Sequence, residues 1–245
     1  PYMYCGGNPI FMTDVYGLAW RPIKNENTGE VTGYEWWDES ISYNDKGKLL
    51  EGLYHQAIFF SENGNYNQNS NYNLGSSTAY LYLADGSITQ FRACTHPSDP
   101  NENATIPAGL YEAGLGLHKG KYYALRVGDL GTKNFLSNKI DLKEPNPSNP
   151  DTNDARWINI HKAGGGDITG IDSKGLLISE GCFLISVNDW DEFIGYFNNN
   201  LQKNNVVSIG VSRTKAVPVN RVRLFLPSIN YPLPMTIPAQ RLSLP

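Results

Sequence analysis

The chain is 245 residues long, with 24 Gly, 15 Pro, 12% aromatic residues and only 18% charged residues. This composition favours strands and turns and argues against an all-α fold. The formal net charge is -4, and without a basic stripe the sequence argues against nucleic acid as a partner. No apolar run approaches the roughly 20 residues of a transmembrane helix, so we expect no membrane span.

The three cysteines, Cys5, Cys94 and Cys182, lie far apart in the chain. Their spacing fits no zinc motif and cannot make a full disulfide framework, so at least one thiol should be free. The glycines 164–166 lack the Lys-Ser/Thr of a phosphate-binding loop, which argues against a nucleotide site. We therefore expect no cofactor and no metal.

In chain order, the clearest element is a hairpin, with strand patterns at 78–83 and 87–92 flanking the turn 84–86. Three further strands are predicted before the Pro- and Asn-rich linker 143–154, and later strands at 156–160 and 206–211. A capping box at 186–189 predicts one helix, because apolar residues follow it at helical spacing. His55 and His96 have no partner motif and are predicted to be surface or turn residues.

The candidate chemistry lies in two residues at the edges of apolar segments, His161 and Cys182. A cysteine is a nucleophile as the thiolate, and an imidazole can remove its proton. Gly181 allows a tight turn before the cysteine, where backbone N–H groups could stabilise the oxyanion of an acyl intermediate. Taken alone, His and Cys 20 residues apart are also compatible with a structural role for both.

The first 20 residues resemble the end of an Rhs-repeat-associated core domain. The shared pattern is Tyr-x-Tyr-Cys-x-x-Asn-Pro over 2–9 and an Asp-x-x-Gly-Leu motif over 14–18, with Val15 where the family has Pro. In that family self-cleavage falls at the Leu, and a variable toxin domain follows. The resemblance implies a toxin domain exported as part of a larger Rhs-type protein, secreted or associated with the cell envelope, with an immunity protein as a further partner.

Residues 78–187 resemble the L,D-transpeptidase catalytic domain, whose signature is a His followed after 14 to 17 residues by Ser/Thr-His-Gly-Cys. Seventeen residues separate His161 from Ser179, and Gly181 and Cys182 complete the motif. The segment 106–111 is similar to the family's Thr-Pro-x-Gly-x-Tyr strand entry. The resemblance implies that Cys182 attacks a carbonyl of a peptidoglycan stem peptide, that His161 manages the proton, and that Gly181 helps form the oxyanion hole.

Two positions depart from the motif. Glu180 replaces the family's His, and Leu184 replaces an Arg or Asn. A phage-associated branch of the superfamily with Thr-Glu-Gly-Cys is closer here. The resemblance assigns Ser179 and Glu180 to the substrate side, and Glu180 could alternatively orient His161 in a Cys-His-Glu triad.

The predicted fold is mostly β, an L,D-transpeptidase-like sandwich or barrel with one main α-helix after Cys182. The predicted division is an Rhs remnant over 1–20, an extension with short strands over 21–77, and a catalytic domain over 78–245. The expected function is cysteine-dependent acyl transfer or hydrolysis on stem peptides. Two alternatives stay open: a non-catalytic domain that binds peptidoglycan or peptide, and a cysteine peptidase or amidase that acts on proteins.

Overall fold

The computed structural model describes residues 19–37, 52–63, 76–132, 134–163, 179–198, 206–215 and 221–223. Thirteen strands lie in these ranges: β1 (Ala19–Lys24), β2 (Val31–Trp37), β3 (Ala57–Glu62), β4 (Ser77–Tyr82), β5 (Ile88–Cys94), β6 (Gly109–His118), β7 (Tyr122–Asp129), β8 (Lys139–Asp141), β9 (Asp154–Arg156), β10 (Asn159–Lys162), β11 (Phe183–Ile185), β12 (Val207–Ser212) and β13 (Arg221–Arg223). They are accompanied by a 3-10 turn, η1 (Phe135–Ser137), and one α-helix, α1 (Trp190–Asn198). The mostly β prediction with one helix is thus confirmed for the described part of the chain. The Rhs-like motifs and Cys5 lie outside the described residues.

Eight strands close into a barrel in the order β10-β11-β5-β4-β3-β12-β6-β7. Most neighbours are antiparallel, including the predicted hairpin β4–β5, which is confirmed in register Thr78↔Arg92. Two neighbouring pairs are parallel, β10 with β11 and β3 with β12. Strand β3 belongs to the segment interpreted from sequence as an extension, and it lies in the barrel wall between β4 and β12.

Alternate residues of the barrel strands fill its interior, as the two-residue period of a strand requires. Ile58 and Phe60 of β3, Leu125 of β7, Ile160 of β10 and Phe183 of β11 are among these core residues. The rings of Phe60 and Phe183 lie 4.9 Å apart across the interior. The neighbours of each core residue along a strand therefore point to the outside of the barrel.

Helix α1 follows the carboxyl end of β11 and packs its apolar side on the core. Phe193 contacts Phe91 edge to face at 5.4 Å, and the Gln56 side chain before β3 donates to the carbonyl of Tyr196. Cys182 precedes the amino end of β11, so α1 and Cys182 lie at opposite ends of this strand.

A second sheet of order β1-β2-β13 covers the outside of the barrel. Trp20 and Trp36 of this sheet cluster with Phe59 and Tyr82 of the barrel wall, and the Tyr34 hydroxyl lies 2.8 Å from the Ser208 hydroxyl of β12. Burial of these large aromatic side chains stabilises the joint between sheet and barrel. No helical segment in the described part of the chain combines the length and apolar character that crossing a bilayer would need.

Candidate active site

Cys182 lies on the outer surface of the barrel, beside Asn159. The parallel register of β10 and β11 pairs Ile160 with Phe183, so the residues before them, Asn159 and Cys182, are neighbours. Because Ile160 and Phe183 both point into the core, Asn159 and Cys182 point outward. Cys182 is a residue of intermediate exposure, whereas Cys94 is buried.

Two backbone polar groups contact the sulfur. The backbone N–H of Asn159 donates to Sγ at 3.4 Å, and the thiol in turn faces the carbonyl of Trp157 at 3.7 Å. Burial raises the pKa of the Cys182 thiol, and the nearby Glu180 charge acts in the same direction, while the Asn159 N–H acts against them. The thiol is therefore protonated at neutral pH, and its reaction requires a base.

The turn before Cys182 requires a glycine for two reasons. Gly181 has φ +109, and a Cβ at this position would lie 2.9 Å from the carbonyl oxygen of Ala104. The Ser179 hydroxyl donates to the carbonyl of Cys182 at 2.7 Å, and Ser179 is only 2% exposed. Ser179 thus holds the turn from inside, whereas Glu180 is exposed to solvent.

His161 lies two residues beyond Asn159 on the same outward face of β10. Its Nδ1 lies 2.8 Å from the carbonyl oxygen of Lys162, which can only accept, so Nδ1 carries the proton and Nε2 keeps its lone pair. Burial, followed by the neighbouring His118, lowers the pKa of His161 to about 4. His161 is a neutral base at physiological pH.

The structure brings His161 and Cys182 to one face without a hydrogen bond between them. A strand rise of about 3.3 Å per residue and a strand spacing of about 4.8 Å place their Cα atoms roughly 8 Å apart on the diagonal. Among the described residues, the polar contacts of His161 and Cys182 are to other groups. A substrate bound between them would meet the sulfur and the base from different sides.

His118, the last residue of β6, belongs to the site although it lies outside the His-Ser-Gly-Cys motif. Its ring stacks on His161 with centroids 4.3 Å apart and planes inclined by 21°. The Nδ1 atom of His118 is buried and lacks a hydrogen-bond partner in the described part of the chain. The alternation of residues along β6 indicates that the His118 side chain points out of the barrel. Its stacking on His161, however, depends on the tertiary structure, which brings the β6–β7 hairpin beside β10.

Tyr122 completes this side of the site. Its ring lies 5.3 Å from that of His118, and the Lys162 ammonium lies over it at 4.9 Å. Burial, with the charge of Cys182 as a second cause, raises the pKa of Tyr122 to about 12. The Tyr122 hydroxyl is therefore neutral at physiological pH, and it is close enough to Cys182 for a charge on the sulfur to affect its pKa.

A buried ionic cluster braces the segment that holds the Cys182 turn. Glu62 accepts from His96 Nε2 and from Arg213 Nη1, each at 2.7 Å. Burial acts to raise the pKa of Glu62, but His96 and Arg213 outweigh it, and this pKa is lowered. His96 lies at a bend in the loop after β5, as predicted, but its side chain is not on the surface, because it is 11% exposed and paired with Glu62.

Arg213 connects this cluster to the site. Its guanidinium also donates to the carbonyls of Thr95 and Ile106, the two ends of the loop 95–106. From this loop the Ser98 N–H donates to the carbonyl of Ser179 at 3.0 Å, and the Ala104 carbonyl approaches Gly181. The turn before Cys182 therefore packs against a loop that the Glu62–His96–Arg213 ionic cluster holds.

In the described ranges, no three His, Cys, Asp or Glu side chains converge as metal ligands. Comparisons with family models, with curated proteins and with solved structures each find no match to this chain.

Proposed function

We propose that the chain is a cysteine acyltransferase or hydrolase that acts on peptidoglycan stem peptides, with an L,D-transpeptidase-like catalytic fold. The observation that carries this proposal is that Cys182, a residue of intermediate exposure, accepts the Asn159 N–H at its sulfur at 3.4 Å on the same barrel face as the neutral base His161. The substrate class comes from the resemblance of His161, Ser179, Gly181 and Cys182 to the L,D-transpeptidase signature. The Rhs-like residues 2–18 support a role as the toxin domain of a larger exported protein, with an immunity protein as partner.

The reaction starts from a neutral thiol and a neutral imidazole. Nε2 of His161 takes the thiol proton as sulfur attacks the peptide carbonyl, forming the S–C bond and an oxyanion. The oxyanion collapses to a Cys182 thioester, the C–N bond breaks, and the imidazolium gives its proton to the leaving amine. An amine or water then attacks the thioester with the same imidazole as base, which frees the thiol.

His118 and Asn159 assist different steps. Stacking against His118 holds the His161 ring in one plane, and the Lys162 carbonyl fixes which nitrogen is basic. The Asn159 N–H already donates to sulfur, so it stabilises negative charge that develops there as the proton leaves. The parallel pairing of β10 and β11 places Asn159 beside the sulfur, whereas the pairing of β10 with β7 brings the β6–β7 hairpin, and with it His118, beside His161.

Non-catalytic binding is the second candidate, and two observations favour it. The pKa of the thiol is raised, chiefly by burial, and His161 and Cys182 share no hydrogen bond. A domain with this arrangement could hold a stem peptide on this face of the barrel without turnover. Catalytic hydrogen bonds are often long before substrate binds, so the mass of the protein after reaction is the discriminating measurement.

Incubation with a set of disaccharide tetra- and pentapeptides, followed by intact-protein mass spectrometry, tests the proposal. We expect an acyl adduct on Cys182 and a released amine, both absent from Cys182→Ala. Binding without adduct or product across the set would favour the non-catalytic domain. Cleavage of labelled proteins, with muropeptides unchanged, would favour a cysteine peptidase.

Glu180 gives a test of substrate contact. Its carboxylate is exposed and lies on the turn next to the nucleophile, so we expect it to face the substrate. Glu180→Gln should raise KM several-fold with little change in kcat, because binding is lost equally in ground and transition states. A fall in kcat at unchanged KM would instead assign Glu180 to the orientation of His161.

A further inference from the structure

Trp157 has a backbone conformation that bulky residues avoid. Its φ is +57, in the left-handed region where Cβ crowds the backbone, and glycine or asparagine would occupy it at lower cost. Its indole is also 69% exposed, although tryptophan is normally well buried. The residue therefore combines a strained backbone with a large exposed apolar side chain.

Contacts from three sides hold this conformation. The Trp157 N–H donates to the carbonyl of Asn138 at 3.4 Å, and the buried side chain of Asn138 donates to the next carbonyl, Ile158, at 2.9 Å. The Trp157 carbonyl accepts from the side chain of Asn159 at 2.5 Å and faces the thiol of Cys182. Strain that the surroundings hold in this way is characteristic of functional sites.

Trp157 lies close to the sulfur of the proposed nucleophile, Cys182. Its carbonyl oxygen lies 3.7 Å from Sγ, so standard bond lengths place its Cα within about 6 Å of the sulfur. An indole spans a similar distance, and this one is exposed to solvent on the residue whose carbonyl faces the sulfur. The apolar side chain at this strained position is therefore mostly exposed surface rather than core packing.

We propose that Trp157 is a specificity-determining residue, whose indole face binds an apolar ring or aliphatic face of the group next to the carbonyl that Cys182 attacks. This inference rests on the proposed function in one respect, the role of Cys182 as the reacting atom. The flat face of an indole packs favourably against C–H groups and aromatic rings. The binding free energy is more favourable when this packing also removes apolar surface from water.

Two alkylating probes with the same reactive carbon test this without peptidoglycan: chloroacetamide and N-benzyl chloroacetamide. In both, the Cys182 sulfur forms the S–C bond, chloride leaves with the C–Cl electron pair, and the thiol proton passes to base or solvent. We expect the benzyl probe to label Cys182 about two- to tenfold faster at low concentration and to saturate, measured by peptide mass spectrometry. Trp157→Tyr should keep most of this ratio, and Trp157→Gly should bring it close to the intrinsic ratio of the probes with free cysteine.

Thermal melting distinguishes this role from a structural one. Trp157→Gly relieves the strained φ, so its Tm should equal or exceed that of the unmodified chain, and Leu130→Ala, which removes another exposed apolar side chain, should leave the probe ratio unchanged. An unmodified chain with no benzyl preference, or a Trp157→Gly chain with a lower Tm and equal losses for both probes, would overturn the inference. If the benzyl preference depends on Trp157 but no muropeptide adduct forms, the inference about Trp157 is supported and the proposal that stem peptides are the substrate is contradicted.

Discussion

Two cysteines stand beside histidines in this chain, and their neighbourhoods differ in how polar groups are paired. Cys94 is 6% exposed, packs with Ala163 and Leu184, and donates to the carbonyl of His96 at 3.5 Å. The ring of that histidine is paired with Glu62. Around Cys182, by contrast, His161 and His118 face each other without a carboxylate between them.

The difference distinguishes a structural ionic cluster from a candidate reactive site. Buried charges that are fully paired cost little beyond their desolvation and specify one arrangement of the loop 95–106. The buried Nδ1 of His118, by contrast, has no hydrogen-bond partner among the described residues, and His161 beside it is buried in its neutral form. Buried titratable groups of this kind are typical of functional sites. The four predictions that follow test this contrast.

The largest expected effect is the loss of acyl transfer when the Cys182 region is altered. Cys182→Ala should abolish adduct formation, and His161→Ala should lower kcat/KM by about 10²- to 10⁴-fold, with a double variant little worse than the first. Steady-state kinetics on a muropeptide gives the values. Cys94→Ala is the matched control and should keep its turnover; near-full turnover in His161→Ala would remove His161 from the mechanism.

Breaking the ionic cluster should cost folding stability. Arg213→Met leaves the Glu62 carboxylate without its guanidinium and the carbonyls of Thr95 and Ile106 without their donor, so we expect a loss of about 3–5 kcal/mol in the free energy of unfolding by urea. Arg156→Met is the control, because its ion pair with Asp154 lies at the surface and should contribute little. If the two variants lose equally little free energy of unfolding, the ionic cluster does not stabilise the loop 95–106.

The pH dependence of stability should report the neutral state of His161. The pKa of His161 is about 4 in the folded chain and about 6.5 in the unfolded chain, so between these values the unfolded state binds the proton and stability falls as pH falls. From pH 7.5 to 5.0 this contributes a loss of about 2 kcal/mol. Over the same pH range, the free energy of unfolding of His161→Gln should fall by about 2 kcal/mol less than that of the unmodified chain. Urea titrations of the two proteins in parallel give both values. An acid loss identical to that of the unmodified chain would contradict the neutral buried imidazole.

The smallest effect is the difference in thiol labelling. Cys182 is partly exposed and Cys94 is buried, so iodoacetamide should modify Cys182 about tenfold faster at pH 8. Burial raises the pKa of both thiols, so both rates should still be rising at pH 9. Peptide mass spectrometry separates the two sites. Faster labelling of Cys94 would reverse the assignment of the reactive thiol.

The sequence by itself determined the elements that depend on neighbours along the chain. The β4–β5 hairpin is one, because alternation and turn residues are local, and a helix after residue 186 is another. The helix begins at Trp190 rather than at the first residues of the capping box, and the Asp189 carbonyl accepts its first backbone bond from Phe193. The requirement for Gly181 was also predicted from the turn alone.

Tertiary structure decided which distant residues meet. The parallel pairings β10–β11 and β3–β12 join segments far apart in the chain, and a shift of one residue in the first would turn Cys182 to the interior. That register places Asn159 rather than His161 beside the sulfur. The stacking of His118 on His161 and the pairing of His96 with Glu62 likewise arise only when the barrel closes, because no local pattern records which strands become neighbours.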